Sequence, residues 1–316
     1  MGRPPIVHHP LYSVPLPAGH RFPMGKFAAL AALIEARGLL DRRNRHVPGP
    51  AEPEVLALAH APAWVEAVLA GQLAPAAERR LGLPVTPPLA ARARAATGGT
   101  ILAARLALEH GLACNTAGGS HHAFREGGAG FCVFNDVAVA SLLLIAEGRV
   151  GRVLVLDLDV HQGDGTAAIL AGEPRITTVS VHCRCNYPAR KQASSLDVAL
   201  DPGTGDRPYL ELLAGLLPGL LRRTAPDLVF YNAGVDPHRA DRLGRLALTD
   251  RGLAERDRLV LETCRAAGVP VATVIGGGYD EDLAALAGRH ALLFEVAADL
   301  TRRPRSAGSR RSCPGS

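Results

Sequence analysis

Four aspartates, three histidines and one tyrosine stand at spacings that could assemble a metal-assisted hydrolytic site. In Asp157-Leu158-Asp159-Val160-His161, carboxylates and an imidazole alternate with apolar residues, so an extended backbone projects the three polar side chains to one side. The same segment also reads as a strand end whose aspartates cap the next helix. Gln162-Gly163-Asp164-Gly165-Thr166 follows as a turn with a further acid, and Tyr231-Asn232-Ala233-Gly234-Val235-Asp236 ends another apolar run on a carboxylate. Asp159, His161 and Asp236 would give a metal three ligands and leave one position open, as a catalytic zinc requires.

Gly118-Gly119-Ser120-His121-His122 places two imidazoles after an apolar run, where glycine permits close backbone approach. An isolated histidine pair is also an ordinary loop feature. The acids not needed as ligands, Asp157 and Asp164, favour the catalytic reading, because each can orient one imidazole through a ring nitrogen. Gly276-Gly277-Gly278-Tyr279 brings a phenol to a similar position, although by itself it reads as a structural turn.

These groups meet only if the elements that carry them end at one place. Short β-branched runs alternate with longer Ala/Leu-rich segments, the rhythm of βαβ units and a parallel sheet. Strands are expected at 113–116, 153–158, 176–181, 228–232 and 271–275, and helices at 26–37, 90–110, 136–147, 209–223, 250–267 and 281–293. Thr249 or Asp250 can cap the fifth helix, and Gly268 followed by Pro270 can end it. His121 and His122, Asp157 to Asp164, His182, Asp236 and Tyr279 each lie at or just after such a strand. The carboxyl ends of parallel strands converge on one crevice, so residues far apart in sequence can share a site.

Composition sets the limits. With 47% hydrophobic residues in 316, the chain can bury a large core as one α/β domain over residues 1–300. Aromatic residues make up only 4%, so Ala, Leu and Val must fill that core, which suits helices packed on a parallel sheet. The net charge of +5 resides in residues 301–316, which hold five arginines and no acid, and the remainder has 30 basic and 30 acidic residues. That terminus reads as a basic disordered tail, and no nucleic-acid binding is inferred. Six cysteines (114, 132, 183, 185, 264, 313) include no Cys-x-x-Cys pair, and the first residues open no apolar signal segment, so reduced thiols in a cytoplasmic protein are expected. The apolar stretch over 137–146 breaks at Ser141 and is too short to span a bilayer.

Residues 118–122 with Gly130-Phe131-Cys132, 157–165, 232–236 and 276–279 resemble the ordered motifs of zinc-dependent histone deacetylases, over a span from residue 5 to residue 298. His20-Arg21-Phe22-Pro23-Met24-Gly25-Lys26, His161-Gln162-Gly163 and Asp241-Arg242-Leu243-Gly244 are more similar to a class IV-like bacterial branch than to the class I enzymes. The resemblance implies the three-layer arginase/deacetylase fold, with a mainly parallel eight-stranded sheet flanked by helices.

The resemblance also implies roles. Asp159, His161 and Asp236 would bind Zn²⁺; His121, held by Asp157, and His122, held by Asp164, would be the acid/base pair; Tyr279 would polarise the carbonyl. Gly130 and Phe131 would line a channel for an acyl-lysine stem, with Tyr187 and Leu243 at its wall or rim. A K⁺ site would involve Asp157, Asp159, His161, Ser180 and Val181. The substrate would be an acylated lysine peptide or protein, or a small acylated amine. Two other readings stay open: a ureohydrolase-like enzyme with two manganese ions, and a non-catalytic acyl-lysine-binding module. Ureohydrolases use Asp-x-His-x-Asp, and this chain has Gly163 at the last acidic position.

Overall fold

The computed structural model describes residues 3–303. Eight strands form one sheet: β1 (Ile6–Val7), β2 (Arg45–His46), β3 (Leu112–Asn115), β4 (Val153–Asp157), β5 (Ile176–Cys183), β6 (Leu196–Leu200), β7 (Leu228–Asn232) and β8 (Val271–Val274). Their order is β2-β1-β3-β8-β7-β4-β5-β6, and every pairing is parallel. The five strands expected from the sequence are present, each ending within two residues of its expected bound. β4, β7 and β8 are buried at every position, which is why they read as continuous apolar runs rather than alternating ones.

Among the described residues ten α-helices flank the sheet: α1 (Lys26–Ala36), α2 (Pro53–Leu56), α3 (Pro62–Leu69), α4 (Pro75–Leu81), α5 (Pro87–His110), α6 (Asp136–Ala146), α7 (Asp164–Leu170), α8 (Asp206–Thr224), α9 (Asp250–Ala266) and α10 (Leu283–Arg302). One group packs in the row α1, α10, α9, α8; in another, α5 packs on α3, α6, β3 and β8. α5 begins at Pro87, three residues before the expected start, because Thr86 caps it and proline is well placed in a first turn. Thr249 caps α9 by accepting from the Gly252 amide, and Gly268 follows its end at a φ of 70°. Alanine fills much of the interior, as in α5, where Ala90, Ala93, Ala96, Ala103, Ala104 and Ala107 are buried.

α10 extends through Arg302 and so takes in residues 301 and 302, which the sequence assigns to the tail. Arg303 follows the helix, and residues 304–316 of that tail, with Cys313, lie outside the described residues. Among the described residues all five cysteines are free thiols, and no helix is long and apolar enough to cross a membrane.

Four adjacent strands of the sheet, β3, β8, β7 and β4, carry the segments singled out for chemistry. Because they are parallel, the chain leaves all four at the same edge. The histidine pair, the Gly276–Tyr279 turn, Asp236 and Asp159–His161 are therefore neighbours by topology.

Candidate active site

β4 does not continue as an extended strand through His161. It ends at Asp157, and residues 159–161 bend. The bends are fixed by the aspartates: Asp157 Oδ1 accepts from the Asp159 amide at 3.1 Å, and Asp159 Oδ1 accepts from the His161 amide at 3.0 Å. Asp157, Asp159 and His161 thus do not project to one side as alternating residues. Asp157 turns to His121, while Asp159 and His161 converge on Asp236.

The Asp159, His161 and Asp236 side chains are buried and each offers a donor atom, all within 4.8 Å of one another. His161 Nδ1 lies 3.0 Å from Asp159 Oδ1 and 3.0 Å from Asp236 Oδ2. One ring nitrogen carries at most one proton, so it cannot serve both carboxylates fully. Burial and repulsion from Asp159 push the Asp236 carboxyl up to about 7, a sign that two adjacent buried carboxylates call for additional positive charge. A divalent cation among the three donors would supply it, and three protein ligands would leave coordination space open, as in catalytic zinc sites.

Backbone and side chains from other strands hold this cluster. The Gly277 amide donates to Asp159 Oδ2 at 2.7 Å and the Val160 amide to Asp236 Oδ1 at 2.9 Å. A Cβ at position 277 would run into the Asp236 carboxylate, which accounts for glycine there. From α9, the buried Arg256 reaches the carbonyls of Gly234 (2.6 Å), Leu158 (3.4 Å) and Ala233 (3.4 Å), while Asp257 bonds both Arg256 and the Tyr231 hydroxyl. One guanidinium so ties the segment after β4 to the segment after β7, and with it Asp159 to Asp236.

The two histidines beside the cluster are oriented separately. His121 Nδ1 lies 2.7 Å from Asp157 Oδ2, and His122 Nδ1 lies 2.6 Å from Asp164 Oδ1 at the first position of α7. Asn232 Nδ2 donates to the other Asp157 oxygen at 2.9 Å. Burial depresses the His121 imidazole, but Asp157 and Asp159 outweigh it and hold it up at about 9. Burial and the neighbouring His121 charge instead pull His122 down to about 4.

The turn that carries the pair is fixed by Asp136, the first residue of α6. Its carboxylate accepts from the Gly119 and Ser120 amides (3.1 and 2.8 Å) and from Thr100 Oγ1 (2.6 Å). Asp136, Arg256 and Asn232 were not singled out individually from the sequence. A signal exists for Asp136, an acid opening a helix soon after the histidine pair; Arg256 looks like any other charged residue of α9.

Tyr279 reaches the cluster from the turn after β8. Its ring stands edge-on to His161 with centroids 6.2 Å apart, and its amide donates to Asp241 Oδ2 at 2.7 Å. Burial and the Asp159 and Asp236 carboxylates hold its hydroxyl well above the usual phenol range, so it stays a hydrogen-bond donor at neutral pH. Phe131 packs 6.1 Å from Tyr279, and Tyr187 stands edge-on to His122 at 4.7 Å with half its surface exposed. Phe131 holds a φ of 67°, unusual for a bulky residue, and Gly130 precedes it at 52°. Leu243 is half-buried, and its carbonyl accepts from Asn186, next to Tyr187. Ser180 pairs in register with Asp157, and its hydroxyl bonds His182 Nδ1 at 3.0 Å.

A cavity of about 40 Å³ adjoins the cluster, lined by His121, His122, Phe131, Tyr279 and, from the region around α1 and α5, Phe22, Lys26, Phe27 and Arg92. Lys26 is fully buried, and its ammonium donates to the Gly276 carbonyl at 3.0 Å and the Gly278 carbonyl at 3.5 Å. Burial lowers it to about 8, partly offset by Asp236 and Asp159. A larger cavity, about 740 Å³, opens at the opposite sheet edge between Pro5, His46, Leu112, Val271 and Arg265, away from these groups. Arg265 there is engaged with the carbonyls of Leu300 and Arg303 at the end of α10, a helix-capping role.

Glycine at 163 separates this site from a two-metal arrangement. A Cβ there would run into the Asp157 carboxylate, so an acid at this position would have to displace the side chain that orients His121.

Known proteins resemble this chain. An uncharacterized protein of Picosynechococcus sp. is 51% identical over 296 residues, covering 94% of this chain and 99% of that protein. A probable deacetylase of Methanothermobacter thermautotrophicus is 30% identical over 292 residues, covering 88% and 86%. The crystal structure of the HDA15 HD domain superposes with a TM-score of 0.79 over 94% of this chain and 89% of that one; at 21% identity the likeness is one of fold. The profile of the family described as histone deacetylase domain matches residues 20–293, and the chain belongs to that family.

Proposed function

We propose that this protein is a zinc-dependent deacylase that hydrolyses the amide of acyl-lysine or a related acylated amine. The observation that carries the reading is the Asp159/His161/Asp236 donor set beside two His–Asp pairs and a protonated phenol. The family supports a deacetylase rather than a ureohydrolase, and the complete set of reactive groups favours an enzyme over a binding module.

Asp159, His161 and Asp236 would hold the zinc, which would supply Lewis-acid chemistry to the amide carbonyl and to the attacking water. Two carboxylate ligands neutralise much of the ion's charge, so a protein base is needed to complete proton removal. His122 takes the proton from the attacking water, and its bond to Asp164 stabilises the resulting imidazolium. His121, held by Asp157, positions that water. The Tyr279 hydroxyl donates to the oxyanion as the carbonyl carbon becomes tetrahedral. His122 then returns its proton to the departing amine. Phe131 and Tyr187 flank the approach and enclose the methylene stem of an acylated lysine. A K⁺ ion held by Asp157, Asp159, His161, Ser180 and Val181, partly through backbone oxygens, would stiffen the segments that carry Asp157 and the zinc ligands.

The test is a zinc-loaded preparation assayed on acyl-lysine peptides, acetylpolyamines and small acetylated amides, with the Tyr279→Phe protein alongside. Hydrolysis of at least one class is expected, and Tyr279→Phe should lower kcat by about 10²–10³. An inactive zinc-loaded protein defeats the deacylase reading, and an unchanged kcat in Tyr279→Phe removes the phenol from the oxyanion role.

A further inference from the structure

Four segments border the Phe131, Tyr187 and Tyr279 rings, and each carries an exposed arginine: Arg21, Arg80, Arg190 and Arg242. His20 and Phe22, either side of Arg21, stand 6.1 and 5.3 Å from the Phe131 ring. The carbonyl of Leu81, the residue after Arg80, accepts from the Phe131 amide at 2.8 Å. Arg190 lies in the turn with Tyr187, which Lys191 closes by donating to the Asn186 and Pro188 carbonyls at 2.7 and 2.5 Å. The Arg242 amide donates to the Tyr279 carbonyl at 3.1 Å.

Carboxylates do not match these charges. Arg242 pairs with Glu281, but Arg21, Arg80 and Arg190 have no carboxylate partner among the described residues. Of the acids close by, Glu78 and Glu126 each adjoin a further arginine, Arg79 and Arg125, and so leave the excess unchanged. Asp241 is buried and accepts from the Leu243, Gly244 and Tyr279 amides. Residues 1–300 hold as many acids as bases, so the excess is local to this approach.

We propose that the preferred substrate is an acylated lysine in an acidic peptide segment, and that Arg21, Arg80 and Arg190 select it. The proposal rests on the deacylase reading above and adds the charge of the substrate's flanks to it. An acyl-lysine whose stem lies between Phe131 and Tyr187 leaves its own backbone outside, so the residues on either side of it pass over the arginine-bearing segments. Consecutive Cα atoms are about 3.8 Å apart, and a carboxylate two residues from the lysine lies about 8 Å along the chain, within the screening length of roughly 8–10 Å at ordinary ionic strength.

The planar fork of an arginine meets a carboxylate with two parallel hydrogen bonds. The Arg80 guanidinium is also stacked 5.2 Å from the Phe124 ring centre, so it loses less freedom on pairing than an unsupported side chain would. Its charge reaches Tyr187, where it opposes the raising of the phenol by burial and Asp164. A basic peptide or a polyamine meets the same charges as repulsion, which slows its encounter with the site and weakens its hold there.

The zinc-loaded full chain is assayed on acyl-lysine peptides of one length and one acyl group, flanked on each side by Asp/Glu, by Ala/Ser or by Lys/Arg, and on acetylpolyamines. At low ionic strength kcat/KM should fall about tenfold or more from acidic to basic flanks, since exposed ion pairs are worth about 1.4- to 5-fold each and several act together. The effect should lie in KM and shrink as salt rises. Arg21→Gln, Arg80→Gln and Arg190→Gln combined should cut the acidic-to-basic ratio at least about threefold, the three Arg→Glu changes should bring it to about one or below, and the three Arg→Lys changes should keep most of it. A general loss of folding lowers all peptides together, and the wild-type ratio with its salt dependence carries the test should a variant fold poorly. Equal rates across the flanks, a preference for basic flanks or polyamines, or a ratio unmoved by the Gln and Glu changes overturns the proposal while the deacylase reading stands. No hydrolysis of any of these substrates removes that reading and this proposal with it.

Discussion

Asp236→Ala should lower zinc affinity by more than about 100-fold and abolish hydrolysis at limiting metal. Loss of an outer partner of a metal ligand typically costs 10–100-fold, so loss of a charged ligand should exceed that. Asp236 is fully buried and has two duties: Oδ2 faces His161 and Oδ1 accepts from the Val160 amide. Alanine removes both, leaving a buried amide unpaired. Asp236→Asn separates them, because its carbonyl oxygen can still accept from Val160 while the negative charge is gone. Zinc content by mass spectrometry, with thermal unfolding as a check on the fold, reads the outcome. Undiminished zinc in both variants would mean that Asp236 is not a ligand.

His122→Ala should lower kcat by about 10²–10⁴ while zinc content stays near that of the wild type. The geometry distinguishes the two histidines. Both are buried and both are oriented by a carboxylate, but Asp157 and Asp159 raise the His121 imidazole against its burial, whereas burial and the neighbouring His121 lower that of His122. Asp164→Asn should produce a smaller loss in kcat, since the imidazole remains and only its charged support is gone. Single-turnover rates at saturating substrate make the comparison. If His122→Ala retains its rate and His121→Ala does not, the proton-transfer roles are reversed.

Much of this site was legible in the sequence because parallel strands bring their carboxyl ends together. The runs that became β3, β4, β7 and β8 were readable as buried strands, and each was followed by groups capable of chemistry. What the sequence could not specify was how those groups divide. Alternation in Asp157–His161 suggested three side chains on one face, yet the strand ends at Asp157 and two aspartate-to-amide bonds redirect the chain. Local hydrogen bonding overrides the period of a strand once its neighbours stop pairing with it.

The other omissions have physical causes too. β1 and β2 are two residues long, too short for any periodic pattern, and β6 is an edge strand whose Leu196, Val198 and Leu200 alternate with more exposed residues. Lys26, Arg92 and Arg256 are cations on helices, and by type they read as solvent-facing. In the structure all three are buried and donate to backbone carbonyls, two of them beside the cavity and one behind the Asp159/His161/Asp236 cluster. Nothing in residue type announces that use, because it depends on carbonyls of segments distant in sequence. Asp136 is the intermediate case: its place at a helix start was visible, but not that its carboxylate faces back to the Gly119 and Ser120 amides.

Metal content and hydrolysis followed together through chelation and reconstitution bear most directly on the central claim. One zinc per chain is expected, with acyl-lysine hydrolysis lost as zinc is withdrawn and restored on its return. Hydrolysis that survives complete chelation, or activity that requires two manganese ions per chain, would contradict it.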